Sequence, residues 1–166
     1  MKIIDMHCDT ISTLMDNTDE LRNSDRMINA YKLRDSDYLL QCFAMFVRLE
    51  NEKDKDFSPY KYCNEMIDKY EKEINKNKDI IRKAYTYDDI MNNMNNGYVS
   101  SLLTIEEGGT IEGSIDKLVE FYNRGVRMMC LTWNYQNEIA SPNIDYYKLD
   151  KQIRNNDNVI GYDLYI

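Results

Sequence analysis

The sequence predicts an α/β fold in which a parallel sheet is built from β-α-β units. Strand-length apolar segments alternate with amphipathic helical segments along the chain, and polar residues cluster where the predicted strands end. With 43% hydrophobic and 30% charged residues, the composition is that of a folded domain. The 166 residues are enough to bury a core, but they are fewer than the ~200–250 of a complete eight-stranded β/α barrel.

Four segments are predicted as strands. Residues 2–8 alternate between apolar and polar side chains, whereas residues 39–48 are apolar on both faces, as in a strand buried on both sides. The polar segment 16–37 between them predicts a short helix or a loop. The four predicted strands are residues 2–8, 39–48, 99–105 and 126–132.

Three helices have recognisable starts. Ser58 followed by Pro59 is typical of an N-cap and a first helical residue, and apolar residues follow at helical spacing. Thr86 and Asp89 have the spacing of a capping box. Ser114 begins a third helix, which ends just before the fourth strand.

Charge and cysteine content exclude several classes of protein. The formal net charge of −8 disfavours nucleic acid and anionic membranes as partners. No apolar run reaches the ~18 residues of a membrane span, and the first residues lack a signal sequence, so a cytoplasmic location is expected. The four cysteines form no C-x-x-C pair, which predicts buried thiols rather than disulfides or a zinc ribbon.

His7 and Asp9 form the first candidate site. The two-residue period of a strand would aim both side chains to one side at the end of the first strand. Imidazole nitrogen and carboxylate oxygen are ligands of catalytic zinc, which keeps one position open for water. The alternative is that His7 only hydrogen-bonds Asp5 or Asp9.

Glu106 and Glu107 form the second candidate site, after the third strand and before two glycines. A carboxylate has two oxygens, so it can bridge two metal ions ~3.5–4 Å apart. The alternative is an acidic turn, for which Glu-Glu-Gly-Gly is ordinary chemistry.

Trp133, Asn134 and Asn137 follow the fourth strand and form the third cluster. They are candidates for binding a polar substrate. Asparagines in this position can also cap a loop, and Trp133 can serve as a packing residue at the rim. Because the carboxyl ends of parallel strands meet on one side of a sheet, all three clusters are expected on one rim.

Three segments together resemble the membrane dipeptidase (renal dipeptidase) family, peptidase family M19. They are D-x-H-x-D-T at the amino terminus, L-L-T-I-E-E-G-G, and L-V-E-F-Y-N-R-G-V-R-M-M-C-L-T-W-N-Y-Q-N-E. The resemblance implies the amino-terminal part of a TIM-like (β/α)8 barrel of the metal-dependent amidohydrolase type. It also implies a zinc-dependent dipeptidase, in which a hydroxide held between two zinc ions attacks the peptide bond of a dipeptide.

The resemblance implies a role for individual residues. His7 and Asp9 match the ligands of one zinc, and Glu106 matches the catalytic glutamate that bridges both zinc ions. Glu107 then occupies the place of the first glycine of the family's E-G-G pattern. Some members of the family have a histidine at the position of Trp133.

The chain departs from the family in its histidines. Two further histidines hold the family's second zinc, and this chain contains only one histidine in all. We therefore expect at most one zinc and no appreciable dipeptidase activity from the 166-residue chain. The prediction is a truncated barrel, with the amino-terminal half of a metallopeptidase domain at 1–145 and a divergent tail at 146–166. Its unpaired strand edges would favour a homo-oligomer.

Two other functions compete with a dipeptidase. One is a catalytically inactive half-barrel that acts only as an assembly or binding module. The other is a different β/α-barrel metallohydrolase, such as a phosphoesterase or a deaminase, whose first strand resembles H-x-H more than H-x-D. The number of metal ions bound per chain separates the first of these from an active dipeptidase.

Overall fold

A computed structural model describes residues 2–15, 19–49 and 57–142 of the chain. Strands and helices largely alternate along it, and a 3-10 helix over Gly108–Ile111 lies between the fourth strand and the last helix. The elements are β1 (Ile3–Asp5), α1 (Thr10–Met15), α2 (Ala30–Asp35), β2 (Tyr38–Phe46), α3 (Pro59–Lys76), β3 (Ile81–Lys83), α4 (Tyr87–Asn95), β4 (Val99–Glu106), α5 (Ile115–Asn123) and β5 (Val126–Cys130).

All pairs in the five-stranded sheet are parallel, which confirms the predicted α/β class. β1 pairs with β2, and β2 pairs with β4 along most of its length. The other side of β4 is shared, because β3 pairs with its first residues and β5 with its last. In this register Glu106 lies between Phe46 of β2 and Cys130 of β5, so the carboxyl ends of three strands meet around it.

Four strands differ from the sequence prediction by more than one residue, of which β2 and β5 end two residues earlier than predicted, at Phe46 and Cys130. β1 ends at Asp5 rather than at residue 8, because the backbone N–H of His7 turns back to donate to Asp5 Oδ1 at 3.1 Å. The three-residue β3 was not predicted, since so short a segment shows no periodicity of its own. The predicted tail at 146–166 lies outside the described residues.

The predicted helix starts are present in the structure. Ser58 Oγ accepts a hydrogen bond from the backbone N–H of Lys61, and Pro59 is the first residue of α3. Thr86 and Asp89 form the capping box of α4, with reciprocal bonds of 3.2 and 2.9 Å. Ser114 stands at the N-cap position of α5 without a side-chain cap bond.

The main core lies between one face of the sheet and the helices. Phe43 at the middle of β2 is completely buried, and its ring centroid lies 5.7 Å from that of Tyr70 on α3. The buried Tyr70 hydroxyl hydrogen-bonds Ser101 Oγ on β4 at 2.9 Å, so its burial leaves the hydroxyl satisfied. These contacts join the helix layer to the two central strands.

Among the helices that the structure describes, none is both long and apolar enough to cross a lipid bilayer.

The cysteines are all free, as predicted, but only three of them are buried. Cys8, Cys42 and Cys63 are buried, whereas Cys130 is exposed. The prediction of a buried thiol is wrong for Cys130, because it is the last residue of β5, where the chain leaves the sheet.

The burial of these thiols predicts selective labelling. Burial raises the pKa of Cys8 and of Cys42 to about 11 and also raises that of Cys63, so these thiols stay protonated at neutral pH. We expect a disulfide reagent to titrate one thiol in the native protein and all four in guanidinium. The Cys130→Ser variant should lose the native reaction, and rapid labelling of a second thiol would contradict the described burial.

Candidate metal centre

Cys8 positions the two candidate ligands on either side of it. Its side chain is buried in the core, and its backbone carbonyl accepts a hydrogen bond of 2.9 Å from the N–H of Ala44 in β2. His7 and Asp9, its neighbours, keep their side chains about half exposed, at 49% each. The side chains of His7 and Asp9 therefore point to the same side of the sheet because the segment 6–9, which follows β1, is hydrogen-bonded to β2 through Cys8. The predicted continuation of β1 to residue 8 is not the cause.

Glu106 brings a second carboxylate close to His7 and Asp9. It is the last residue of β4, and its side chain is only 21% exposed. His7 Nε2 lies 3.0 Å from Glu106 Oε2 and 3.3 Å from Asp9 Oδ1. One ligand atom of each residue can be chosen so that all three lie within 4.8 Å of one another. The structure thus brings together the three residues that the sequence singled out as metal ligands.

The electrostatics of this cluster favour a cation. Partial burial raises the pKa of Glu106, His7 lowers it, and the nearby carboxylates of Asp9 and Glu107 raise it further. Two carboxylates held this close repel each other when both are ionised. A positive ion between them would remove this repulsion and favour the ionised form of both.

The donor set fits a single zinc ion. One imidazole nitrogen and two carboxylate oxygens are typical protein ligands of catalytic zinc, and the exposed side of His7 and Asp9 leaves room for water. In the part of the chain that the structure describes, no other group of three histidine, cysteine or acidic residues has this spacing. The arrangement therefore accounts for one metal ion.

Glu107 lies beside this cluster but faces into the protein. Its side chain is completely buried, and its carboxylate accepts hydrogen bonds from Gly109 N at 3.0 Å and Trp133 N at 3.2 Å. A third bond of 2.5 Å comes from Asn137 Nδ2. The sequence pairs Glu107 with Glu106 as a candidate site, but no local pattern indicates these bonds, because its partners Trp133 and Asn137 lie 26 and 30 residues away.

Trp133 and Asn134 lie in the loop that follows β5. The Trp133 ring packs edge-to-face against Phe46, with centroids 4.9 Å apart and an angle of 75° between the planes. It also lies 6.2 Å from the ring of Tyr135. Asn134 is exposed. These contacts match the packing alternative for Trp133, and a substrate contact of either residue stays a prediction.

Asn137 organises the loop through both ends of its amide group. Its Nδ2 donates to Glu107 and to the Leu131 carbonyl, and its Oδ1 accepts from the N–H groups of Ile139 and Ala140 at 2.8 and 2.9 Å. This is the capping alternative for Asn137. Its role in substrate binding stays a prediction.

Comparison with known proteins relates the whole arrangement to one family. A model of the membrane dipeptidase family (peptidase family M19) matches residues 1–157. Among solved structures, the chain is similar to dipeptidase AC, a metallopeptidase of family M19, with a TM-score of 0.72 and 15% identity over 85% of this chain and 45% of that one. A comparison with curated proteins finds no match.

Two further solved structures are similar. A metallopeptidase from Rhodobacter sphaeroides, liganded with a phosphinate mimic of the dipeptide L-Ala-D-Ala, gives a TM-score of 0.73 and 15% identity over 85% of this chain and 48% of that one. The probable dipeptidase PvdM from Pseudomonas aeruginosa gives 0.62 and 13% over 84% and 36%. The chain thus spans less than half the length of these proteins, and its parallel sheet corresponds to part of a TIM-like barrel.

Proposed function

Because the chain belongs to the membrane dipeptidase family, peptidase family M19, we propose that it carries the metal-binding part of a zinc-dependent dipeptidase active site. His7, Asp9 and Glu106 are the residues that would hold the metal. The observation that carries this proposal is the approach of their ligand atoms to within 4.8 Å at the carboxyl ends of β1 and β4. An imidazole in the set favours zinc over magnesium or calcium, which prefer oxygen ligands.

The three residues would divide the work of the site. When bound, zinc lowers the pKa of a water molecule and polarises the carbonyl of the peptide bond. His7 supplies a neutral nitrogen ligand, while the carboxylates of Asp9 and Glu106 supply the negative charge that offsets the cation. Glu106 is the deepest of the three and would hold the ion from the protein side. The bridging role that the resemblance implies for it would need a second ion, for which the described residues supply no further group of ligands.

The substrate of the proposed site is a small dipeptide. The exposed side of His7 and Asp9 is the side from which a substrate can approach. Trp133, Asn134 and Asn137 lie in the loop after β5 and are our candidates for contacts with it. Trp133 would offer an apolar surface next to Phe46, and Asn134 would offer an exposed amide.

Binding and turnover of dipeptides test this function. We expect the zinc-loaded chain to bind a phosphinate dipeptide mimic, measured by calorimetry, and His7→Ala to lose this binding. Asp116→Asn, an exposed carboxylate of α5, is the control that should bind as the wild type does. Binding without zinc, or undiminished binding in His7→Ala, would contradict the proposal.

The single histidine favours a second candidate function, a binding module that does not hydrolyse dipeptides. A hydroxide clamped between two metal ions needs ligands for both ions, and the described residues supply no second imidazole to hold the second one. We therefore expect no appreciable hydrolysis of L,L or L,D dipeptides by the 166-residue chain, even with excess zinc. Turnover above the background of His7→Ala would instead support a complete active site.

A further inference from the structure

We propose that Glu107 is a positioning residue that couples the loop after β5 to the metal centre; this inference rests on the metal centre proposed above. Glu107 and Glu106 are adjacent at the end of β4, yet the side chain of Glu107 is completely buried while that of Glu106 reaches the rim. The two side chains therefore point in different directions, that of Glu106 to the rim of the sheet and that of Glu107 into the protein. A buried carboxylate is costly unless it is fully hydrogen-bonded.

The hydrogen bonds of Glu107 join two separate segments. Its Oε1 accepts from Gly109 N in the 3-10 helix at 3.0 Å and from Asn137 Nδ2 at 2.5 Å, and its Oε2 accepts from Trp133 N at 3.2 Å. Glu107 therefore fastens the segment after β4 to the loop after β5.

The two glycines that follow Glu107 allow this contact to be close. A Cβ atom at Gly108 would lie 2.4 Å from the Leu131 carbonyl oxygen, and one at Gly109 would lie 3.1 Å from Asn137 Cβ. At Gly108 a side chain would clash with the backbone of Leu131, and at Gly109 the Asn137 side chain would have to yield by a few tenths of an ångström. The loop after β5 thus packs closely on the segment after β4, backbone against backbone at Gly108 and Leu131, and the Glu107 carboxylate bonds to both segments.

This packing links Trp133 to the strand ends around Glu106. Glu107 holds the backbone N–H of Trp133, whose ring lies against Phe46. Phe46 is the register partner of Glu106. A change at Glu107 should therefore alter both the setting of Glu106 and the environment of Trp133.

The variant Glu107→Gln tests the coupling, because it keeps the shape but replaces one acceptor oxygen by an NH₂ group that faces an N–H donor. Trp133 is the only tryptophan, so its emission reports on the loop alone. Residues that support metal ligands typically change affinity ~10–100-fold, and we expect zinc affinity to fall by that factor in Glu107→Gln. In this variant the fluorescence emission of Trp133 should shift to longer wavelength, and acrylamide should quench it more strongly.

Glu73→Gln is the matched control. Glu73 of α3 is also completely buried, but its Oε2 accepts from the backbone N–H of Leu21, in the turn that precedes α2, at 2.8 Å. We expect Glu73→Gln to lower the melting temperature while leaving zinc affinity and Trp133 emission unchanged. If Glu107→Gln behaves in the same way, Glu107 has a structural role only and the proposal is overturned.

A second variant covers the case in which Glu107→Gln does not fold. Asn137→Ala removes one bond to Glu107 from a half-buried position, and it should shift zinc affinity and Trp133 emission in the same direction by smaller amounts. Wild-type values for both would overturn the proposal. If the wild type binds no zinc, the metal centre itself fails, and the Trp133 emission of these variants still decides whether Glu107 holds the loop.

Discussion

Phe43→Ala is expected to lower the free energy of unfolding by about 3–5 kcal/mol, as is typical when a large buried aromatic side chain is truncated. Phe43 has no exposed surface, lies at the middle of β2 and packs against Tyr70 of α3. Its removal would leave a cavity between the sheet and the helix layer, where close packing allows only partial collapse.

Urea unfolding followed by far-UV circular dichroism measures this effect. The control is Tyr87→Ala, because Tyr87 is 71% exposed and its truncation should change the free energy of unfolding by less than about 0.5 kcal/mol. If Phe43→Ala cost no more than Tyr87→Ala, β2 would not be the buried centre of the sheet.

The second large effect concerns zinc affinity. We expect His7→Ala to weaken zinc binding by more than about 100-fold, since loss of an outer partner of a ligand already costs 10–100-fold. His7 is the only imidazole of the chain and lies within 3.3 Å of both carboxylates of the cluster. Its loss would leave two oxygen ligands on a partly exposed rim.

Competition with a chromophoric chelator measures this affinity in the metal-free and reloaded protein. The wild type should bind one zinc per chain, and Asp116→Asn should match it. A dissociation constant for His7→Ala within a few-fold of the wild type would show that zinc is bound elsewhere. Two tightly bound zinc ions per wild-type chain would show ligands beyond the three assigned here.

The helix starts could be predicted because their causes are local. The N-cap at Ser58 and the capping box at Thr86 and Asp89 involve residues within three or four positions of one another. The convergence of His7 with Glu106 was also predictable, because strand ends in a parallel sheet meet on one side. For these features, local sequence patterns and the order of strands and helices are sufficient for the prediction.

The features that the sequence did not reveal depend on distant contacts. The segment that carries His7 and Asp9 is held by a backbone hydrogen bond between Cys8 and Ala44, which lie 36 residues apart. No local sequence pattern indicates this bond. Glu107 likewise reads as half of an acidic turn until the loop containing Trp133 is placed against it. A pair of carboxylates followed by two glycines was the only sequence signal for that close packing.

X-ray absorption spectroscopy of the zinc-loaded chain tests the assignment of the metal ligands most directly, because it identifies the atoms around the metal. Nitrogen and oxygen ligands are expected at about 2.0–2.2 Å, with imidazole scattering that disappears in His7→Ala. No sulfur ligand is expected, because the Cys8 side chain is buried in the core and no cysteine belongs to the cluster of ligand atoms among the described residues. A sulfur ligand at about 2.3 Å, or a wild-type spectrum without imidazole scattering, would contradict the assignment of His7, Asp9 and Glu106 as the metal ligands.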